Sequence, residues 1–135
     1  MDTLYQEKII ALAQIARSSS TLPHRDLIAT INNPLCGDRV TVSVSLDKNL
    51  ISATHVEVKG CALCEAGAGL LHSIAPGTTR IAMQNYRTSL ADWLKDPLHE
   101  IPPDGSEALS PVRPIKNRHK CILLAFDAIS ALKSG

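Results

Sequence analysis

Aromatic residues are scarce in this chain of 135 residues, where they make up 3% of the sequence. They are Tyr5, Tyr86, Trp93 and Phe126. The core must therefore be largely aliphatic, and the chain offers no stacking platform for single-stranded nucleic acid. A charge excess is also missing, because 14 Lys and Arg face 13 Asp and Glu and leave a formal net charge of +1. Without a basic field to attract phosphates, we expect no nucleic-acid partner.

Long apolar runs are absent as well. The longest stretches, such as residues 9–13, fall far short of the roughly 18 residues that span a bilayer, so we expect no membrane insertion. The start, Met1-Asp2-Thr3-Leu4, lacks a basic region followed by an apolar segment, which favours a cytoplasmic protein over a secreted one. In that reducing compartment cysteines more often bind metal or react than form disulfides.

What is present is the composition of one folded domain. Apolar residues make up 44% and charged residues 20% of the sequence, which is ordinary for a folded protein and excludes a disordered chain. The length lies within the usual range for one domain with its own core. We therefore expect a single domain over residues 1–135.

The first half of the chain predicts a helix followed by a hairpin. Apolar residues recur at helical spacing from Tyr5 to Ala16, and the serines at 18–20 end that helix. Residues 18–34 are predicted to be mostly loop. Strict alternation from Val40 to Leu46 indicates a strand with one polar face, and residues 51–59 return as a second strand with a bulge near Ala53. Residues 39–59 therefore form a hairpin.

The second half predicts three helices and one long connection. Residues 62–75 form a helix that Pro76 ends, and a second helix follows over residues 79–95. Residues 96–117 carry five prolines and are predicted to be a surface connection without regular structure. A last helix runs over about residues 118–133. The sequence thus predicts an α+β fold in which a small antiparallel sheet, with hairpin 39–59 at its centre, packs against helices.

Four cysteines stand at positions 36, 61, 64 and 121, each near the predicted end of an element. In the turn Cys36-Gly37-Asp38, a thiolate and a carboxylate lie two residues apart. Thiolates hold zinc and iron-sulfur clusters, and one hard carboxylate among them makes a site that is more easily emptied. Cys61 and Cys64 lie one helical turn apart at a predicted helix start, which favours the thiolate form. The competing interpretation is that these cysteines are small buried core residues.

Three strings, in one order, carry a resemblance to a known family. They are Asn-Pro-Leu-Cys-Gly-Asp-Arg at 33–39, Gly-Cys-Ala-Leu-Cys at 60–64 and Arg-His-Lys-Cys at 118–121. Together they resemble the iron-sulfur scaffold family of NifU N-terminal domains, IscU and SufU. IscU-like members carry His-Cys at the last motif, whereas SufU-like members carry Arg-x-Lys-Cys after a longer insertion. The chain resembles SufU more than IscU.

The resemblance implies a metal or cluster site formed by Cys36, Asp38, Cys61 and Cys121. It also implies that Arg118 contacts Asp38 or a thiolate, and that Cys121 accepts persulfide sulfur. The implied cofactor is Zn²⁺ or a [2Fe-2S] cluster, and the implied partners are a cysteine desulfurase and apo iron-sulfur proteins. The first functional hypothesis is a scaffold that builds a transient cluster and passes it on. The alternatives are a zinc-dependent sulfurtransferase of SufU type and a structural zinc domain.

Two features depart from the family pattern. Cys64 stands where the family usually has a small residue without a thiol, so it is a further ligand, a second sulfur acceptor or an inert core residue. Residues 109–113, Leu-Ser-Pro-Val-Arg, echo a chaperone-binding motif of IscU-like scaffolds but lie too far from Cys121. We interpret them as a plain proline turn. The histidines are predicted to be surface residues: His24, His55, His72, His99 and His119. For His119, beside the predicted ligand region, the alternative is a metal ligand in place of a cysteine.

Overall fold

The computed structural model describes residues 3–34 and 37–134, and every structural statement below refers to these residues. The elements follow in the order α1 (Thr3–Arg17), β1 (Leu27–Asn33), β2 (Asp38–Asp47), β3 (Leu50–Lys59), α2 (Ala62–Ile74), α3 (Arg80–Lys95), the 3₁₀ segments Glu107–Val112 and Lys116–Arg118, α4 (His119–Ser130) and β4 (Lys133–Ser134). No helix in these two ranges is both long and apolar enough to cross a membrane.

The strands form one antiparallel sheet in the order β3-β2-β1-β4, and helices pack against it. This confirms the predicted α+β fold. The predicted hairpin is β2 and β3, but it occupies one side of the sheet, with β3 at the edge and β2 inside. The inner strand β2 carries fully buried valines at 40, 42 and 44, as the alternation indicates.

The hairpin closes through a two-residue turn. Lys48 and Asn49 have φ angles of 51° and 71°, the left-handed backbone that a tight hairpin turn of this kind requires. Asp47 pairs with Leu50 on either side of it. The pairing shifts between Ser45 and Leu46, so that one residue of β3 before Ala53 has no partner. The predicted bulge near Ala53 is thereby confirmed.

The prediction of a mostly irregular segment over 18–34 is wrong for its last part. Leu27–Asn33 is a strand that pairs along its whole length with β2 and, at its start, with β4. Its burial does not alternate cleanly, because helices cover one face and the other is partly open. Long-range pairing, which local periodicity does not report, decides its structure. The last helix, predicted to run to about residue 133, ends at Ser130, and Lys133 lies in β4.

The connection over residues 96–117 is also more ordered than predicted. Glu107–Val112 forms a 3₁₀ segment whose Leu109 is fully buried. The Arg113 side chain holds the connection in place, since it donates to the Trp93 carbonyl at 2.8 Å and to the Asp96 carbonyl at 2.6 Å. Its guanidinium also lies 4.7 Å from the centre of the Trp93 ring. The segment is therefore part of the packed structure rather than a loose surface loop.

Helix α2 lies at the centre of the helical layer, between α1 and α4. Two glycines permit this close packing. A Cβ at Gly67 would overlap the carbonyl of Ile122 in α4, and a Cβ at Gly69 would overlap the carbonyl of Leu12 in α1. The backbones of the three helices therefore approach as closely as they do only because these positions lack side chains.

The substitution Gly69→Ala tests this packing. At a solvent-exposed helix position the same substitution would stabilise the helix by about 1 kcal/mol, since alanine is the better helix former. Here we expect a loss of about 3 kcal/mol of unfolding free energy, because the added methyl group forces α1 away from α2. Urea unfolding followed by circular dichroism measures it. Ser89→Ala, at an exposed position on α3, is the control and should change stability by less than about 0.5 kcal/mol. Equal stability of the two variants would contradict the packing argument.

Candidate metal and sulfur site

Three separate parts of the chain meet at the beginnings of β2, α2 and α4. Asp38 is the first residue of β2, where it pairs with Asn33 at the end of β1. Cys61 is the residue before α2 and Cys64 lies in its first turn, while Cys121 lies in the first turn of α4. The antiparallel sheet and the packing of α2 on α4 thus bring four side chains together from distant stretches of sequence.

The four side chains offer one carboxylate oxygen and three sulfurs, all within 4.8 Å of one another. The Cys121 thiol donates a hydrogen bond to Asp38 Oδ2 at 3.5 Å. Asp38 is 5% exposed, and Cys64 and Cys121 are fully buried. Cys61 is only partly buried. The cluster is therefore an interior site in which one of the cysteines is partly open to solvent.

Burial favours the neutral form of the enclosed thiols. It raises the pKa of the Cys64 thiol, and the neighbouring sulfurs of Cys121 and Cys61 raise that pKa further. Burial and the nearby Cys61 likewise raise the pKa of Cys121. The starts of α2 and α4 act in the opposite direction, since unpaired N–H groups at a helix start favour negative charge. A bound cation would add to that effect, because thiols bind metal as thiolates and release their protons.

The donor set fits a thiophilic cation. Sulfur ligands lie about 2.3 Å from zinc, so two ligands of one tetrahedral ion stand roughly 3.8 Å apart. The separations of up to 4.8 Å among the four atoms are close to that spacing. A carboxylate that is 5% exposed also needs compensation for its lost hydration, and a cation provides it. An exposed carboxylate would keep its hydration and would need no cation.

Gly60 leaves the space that the Asp38 side chain occupies. A Cβ on Gly60 would stand 2.6 Å from Asp38 Oδ1 and 3.1 Å from its carboxyl carbon, well inside van der Waals contact. Gly60 joins the end of β3 to Cys61, so the same short link positions two members of the cluster. The sequence places this glycine in the Gly-Cys string, but the steric reason for it requires the fold.

Three residues that the resemblance implies as ligands, namely Asp38, Cys61 and Cys121, lie together in the structure. The fourth, Cys36, falls outside the described residues, so the full ligand set stays a prediction. Cys64, whose role the sequence left open, belongs to the cluster. Arg118 is exposed, and within the described ranges no hydrogen bond or ion pair joins its side chain to Asp38. Its implied contact with that carboxylate is therefore not observed.

The histidines are partly mispredicted. His24 and His99 are exposed, as expected. His119 is half-buried and donates from Nε2 to the carbonyls of Val112 and Arg113, at 3.1 and 3.0 Å, so it braces the entry to α4.

His55 and His72 are also less exposed than predicted. The His55 side chain is 13% exposed and lies 3.2 Å from the Ser19 hydroxyl. His72 hydrogen-bonds to Thr54 at 2.6 Å, and burial lowers its pKa. Both positions are half-covered by neighbouring elements, which local sequence does not reveal. Neither belongs to the cluster of sulfurs.

The variant Gly60→Ala tests how closely the carboxylate is held. Its methyl group must displace Asp38, so we expect zinc or cobalt affinity to fall by about 10-fold to 100-fold while the fold is retained. Cobalt titration, followed by the thiolate-to-cobalt charge-transfer absorption, measures the affinity. The intensity of the same band shows how many thiolates bind the ion. Lys59→Ala changes the exposed neighbouring residue and should bind cobalt like the parent. Unchanged affinity in Gly60→Ala would show that Asp38 is not part of the binding site.

The chain is similar to a known protein family and to several known proteins. The family model described as NifU-like N terminal domain matches residues 4–102. The zinc-dependent sulfurtransferase SufU of Bacillus subtilis (strain 168) is 25% identical over 131 residues, which cover 96% of this chain and 88% of SufU. The iron-sulfur cluster assembly scaffold protein IscU 1 of Archaeoglobus fulgidus is 28% identical over 92 residues, which cover 67% of this chain and 60% of that protein.

A solved structure supports the same assignment. The crystal structure of the N-terminal part of a nitrogen-fixing NifU-like protein from Brucella abortus superposes with a TM-score of 0.81 at 28% identity. The alignment covers 94% of this chain and 90% of that one. The matched family region includes Asp38, Cys61 and Cys64. This chain belongs to the NifU-like N-terminal domain family of iron-sulfur cluster scaffold proteins.

Proposed function

We propose that residues 1–135 form one scaffold domain that receives sulfur from a cysteine desulfurase, combines it with iron and passes a transient cluster to apo iron-sulfur proteins. The observation that carries this proposal is the convergence of Asp38, Cys61, Cys64 and Cys121 within 4.8 Å at an interior site with one partly open side. Cys36, two residues before Asp38, completes the ligand set that the family resemblance implies. The cargo is a cluster such as [2Fe-2S].

The thiols supply the chemistry of sulfur acceptance. A cysteine thiolate of the site attacks the outer sulfur of the desulfurase persulfide, forms a new S–S bond and releases the desulfurase thiolate. The family resemblance assigns the accepting thiol to Cys121. Because Cys121 is fully buried, this assignment requires the start of α4 to open, whereas Cys61 is already partly accessible. A Cys→Ser series in the complete chain therefore has to test both thiols.

Asp38 supplies the ability to release the cluster. Iron and sulfide bind thiolates strongly, and a carboxylate oxygen is the harder, weaker ligand for such a cluster. Its burial keeps it beside the sulfurs when a cluster is present. When an acceptor protein offers a thiolate, exchange at the oxygen is the least costly first step. The carboxylate thus makes the site a temporary holder.

A second function is supported by one specific comparison. The sulfurtransferase of Bacillus subtilis that aligns over 96% of this chain is described as zinc-dependent. Zinc would be held here by Asp38, Cys61 and Cys121 with Cys36 or Cys64, and it would keep the bound thiols deprotonated. In this alternative the site passes persulfide sulfur onward without building a cluster. The same thiols accept sulfur in both functions, but the product passed on is persulfide sulfur in this one and a cluster in the other.

The substitution Asp38→Ala tests the release step. We expect a reconstituted cluster to survive about 10-fold longer, because the weakest ligand and its exchange route are gone. Anaerobic transfer to an apo-ferredoxin, followed by visible circular dichroism, measures the lifetime. Asp127 lies on the same helix as Cys121, and its carboxylate pairs with Arg87 of α3. The control variant Asp127→Ala should release the cluster like the parent. If the two variants and the parent release it at one rate, the role of Asp38 is refuted.

Metal and sulfur analysis separates the two functions. From protein purified without oxygen and given iron, cysteine and a cysteine desulfurase, we expect a cluster that transfers to an apo-protein. Stoichiometric zinc, strong desulfurase stimulation and no transferable cluster would instead establish the sulfurtransferase. If no cysteine gains sulfur by mass spectrometry and chelation unfolds the protein, the site is a structural zinc centre and both proposals fail.

A further inference from the structure

The scaffold and sulfurtransferase functions use Cys61 as a ligand, but neither requires that Cys61 and Cys64 react with each other as a pair. Either function needs a single accepting thiol, and the family resemblance assigns metal binding to Cys61 without Cys64. Yet both sulfurs lie in one cluster, within 4.8 Å of each other. Cys64 is fully buried one helical turn inside α2, while Cys61 is partly exposed before its first turn.

This arrangement has the geometry of a redox dithiol. In Cys-x-x-Cys pairs at a helix start, the outer thiol reacts with partners and the inner thiol attacks the mixed species that results. A disulfide needs Cβ atoms about 3.5–4.5 Å apart, closer than the roughly 5–6 Å between residues three apart on a helix. Cys61 lies before the helix on extended backbone, with φ −79° and ψ 171°, so a small shift of this residue together with side-chain rotation brings the sulfurs to bonding distance. The Cys61 side chain is not fixed by helix capping, since it makes no hydrogen bond to the backbone of the first turn of α2.

Cluster assembly also leaves a chemical requirement open. Persulfide sulfur is two electrons more oxidised than the sulfide of a cluster, and neither Asp38 nor a single thiol can provide two electrons. A neighbouring thiol provides them when it forms a disulfide. Resting on the proposed sulfur-accepting function, we propose that Cys64 is a resolving cysteine that reduces sulfur held on Cys61 and releases it inside the site as sulfide.

The step balances without a further reactant. Sulfur reaches Cys61 directly or by exchange from Cys121, whose sulfur lies within 4.8 Å. The Cys64 thiol, which burial keeps protonated, passes its proton to the neighbouring Asp38 carboxylate as its sulfur attacks Cys61 Sγ. The Sγ–Sγ bond forms, and the bond from Cys61 Sγ to the outer sulfur breaks. The two cysteine sulfurs are oxidised to a disulfide, and the outer sulfur is reduced by two electrons and leaves as HS⁻, taking up the proton that Cys64 lost. A dithiol reductant then restores the pair for the next turnover.

The burial pattern favours this role over that of an inert core residue. Cys64 does not lie among aliphatic side chains alone, since its sulfur faces Asp38 and two other thiols. An inert small residue at this position would need no thiol, and alanine would serve the packing of α2. Release from Cys61 also delivers sulfide beside Asp38 and Cys121, where iron would be held.

The test is a single turnover with metal-free, fully reduced protein and without any other reductant. Cysteine hydropersulfide serves as the sulfur donor under anaerobic conditions, and excess donor is removed before analysis. We expect the parent to lose the mass of two hydrogen atoms and to contain a Cys61–Cys64 disulfide. Both cysteines lie on one tryptic peptide, residues 60–80, so the product is a peptide that resists alkylation until it is reduced. Protein without donor is the control for adventitious oxidation.

Two variants keep the test independent of folding defects. Cys64→Ser and Cys64→Ala should retain the added sulfur on Cys61 and release sulfide about 10-fold more slowly than the parent. Ser73→Ala, on the exposed side of the same helix, should behave like the parent. A parent protein that keeps its added sulfur while Cys64 stays alkylatable would overturn the resolving role but leave sulfur acceptance intact. A protein that gains no sulfur on any cysteine would overturn the proposed function together with this inference.

Discussion

The constraint that organises this molecule is a carboxylate buried among thiols. Removing Asp38 from water to 5% exposure costs free energy unless hydrogen bonds or positive charge compensate for it. The Cys121 thiol donates to it at 3.5 Å, and the starts of α2 and α4 direct their N–H ends toward the same region. The pairing of Asn33 with Asp38 and the missing side chain of Gly60 then fix where that carboxylate lies.

Local patterns predicted the elements whose structure is decided locally. Strict alternation gave the β2–β3 hairpin, and apolar periodicity with Pro76 gave α2 almost to the residue. Thr79 caps α3 by accepting from the Ala82 amide, as a helix start in the sequence indicates. Strand β1 and the buried segment around Leu109 were missed because their partners are distant in sequence. Their own residues alternate poorly, and only pairing with β2 or packing under the helices determines them.

The site also has a part that the sequence predicts and a part that depends on tertiary packing. The order of three motifs indicated which residues to expect, and Asp38, Cys61 and Cys121 do lie together. The place of Cys64 could not be derived, since it depends on how α2 is rotated against α4. That rotation is set by backbone contact at Gly67, where a Cβ would overlap the Ile122 carbonyl. A cysteine three residues after Cys61 enters the cluster only with this packing, and otherwise it would be one more apolar residue of the core.

The two ends of the cluster differ in how many contacts hold them, and this difference bears on the proposed route of sulfur. The start of α4 is held by His119, whose single Nε2–H is shared between the Val112 and Arg113 carbonyls. Displacing this turn together with Cys121 loses that hydrogen bond, which contributes about 1 kcal/mol. Cys61 follows an exposed glycine, makes no capping hydrogen bond and is partly open. In the proposed function, the less restrained and more accessible sulfur of Cys61 meets the sulfur donor first. The same proposal leaves the later steps to the fully buried sulfurs of Cys64 and Cys121.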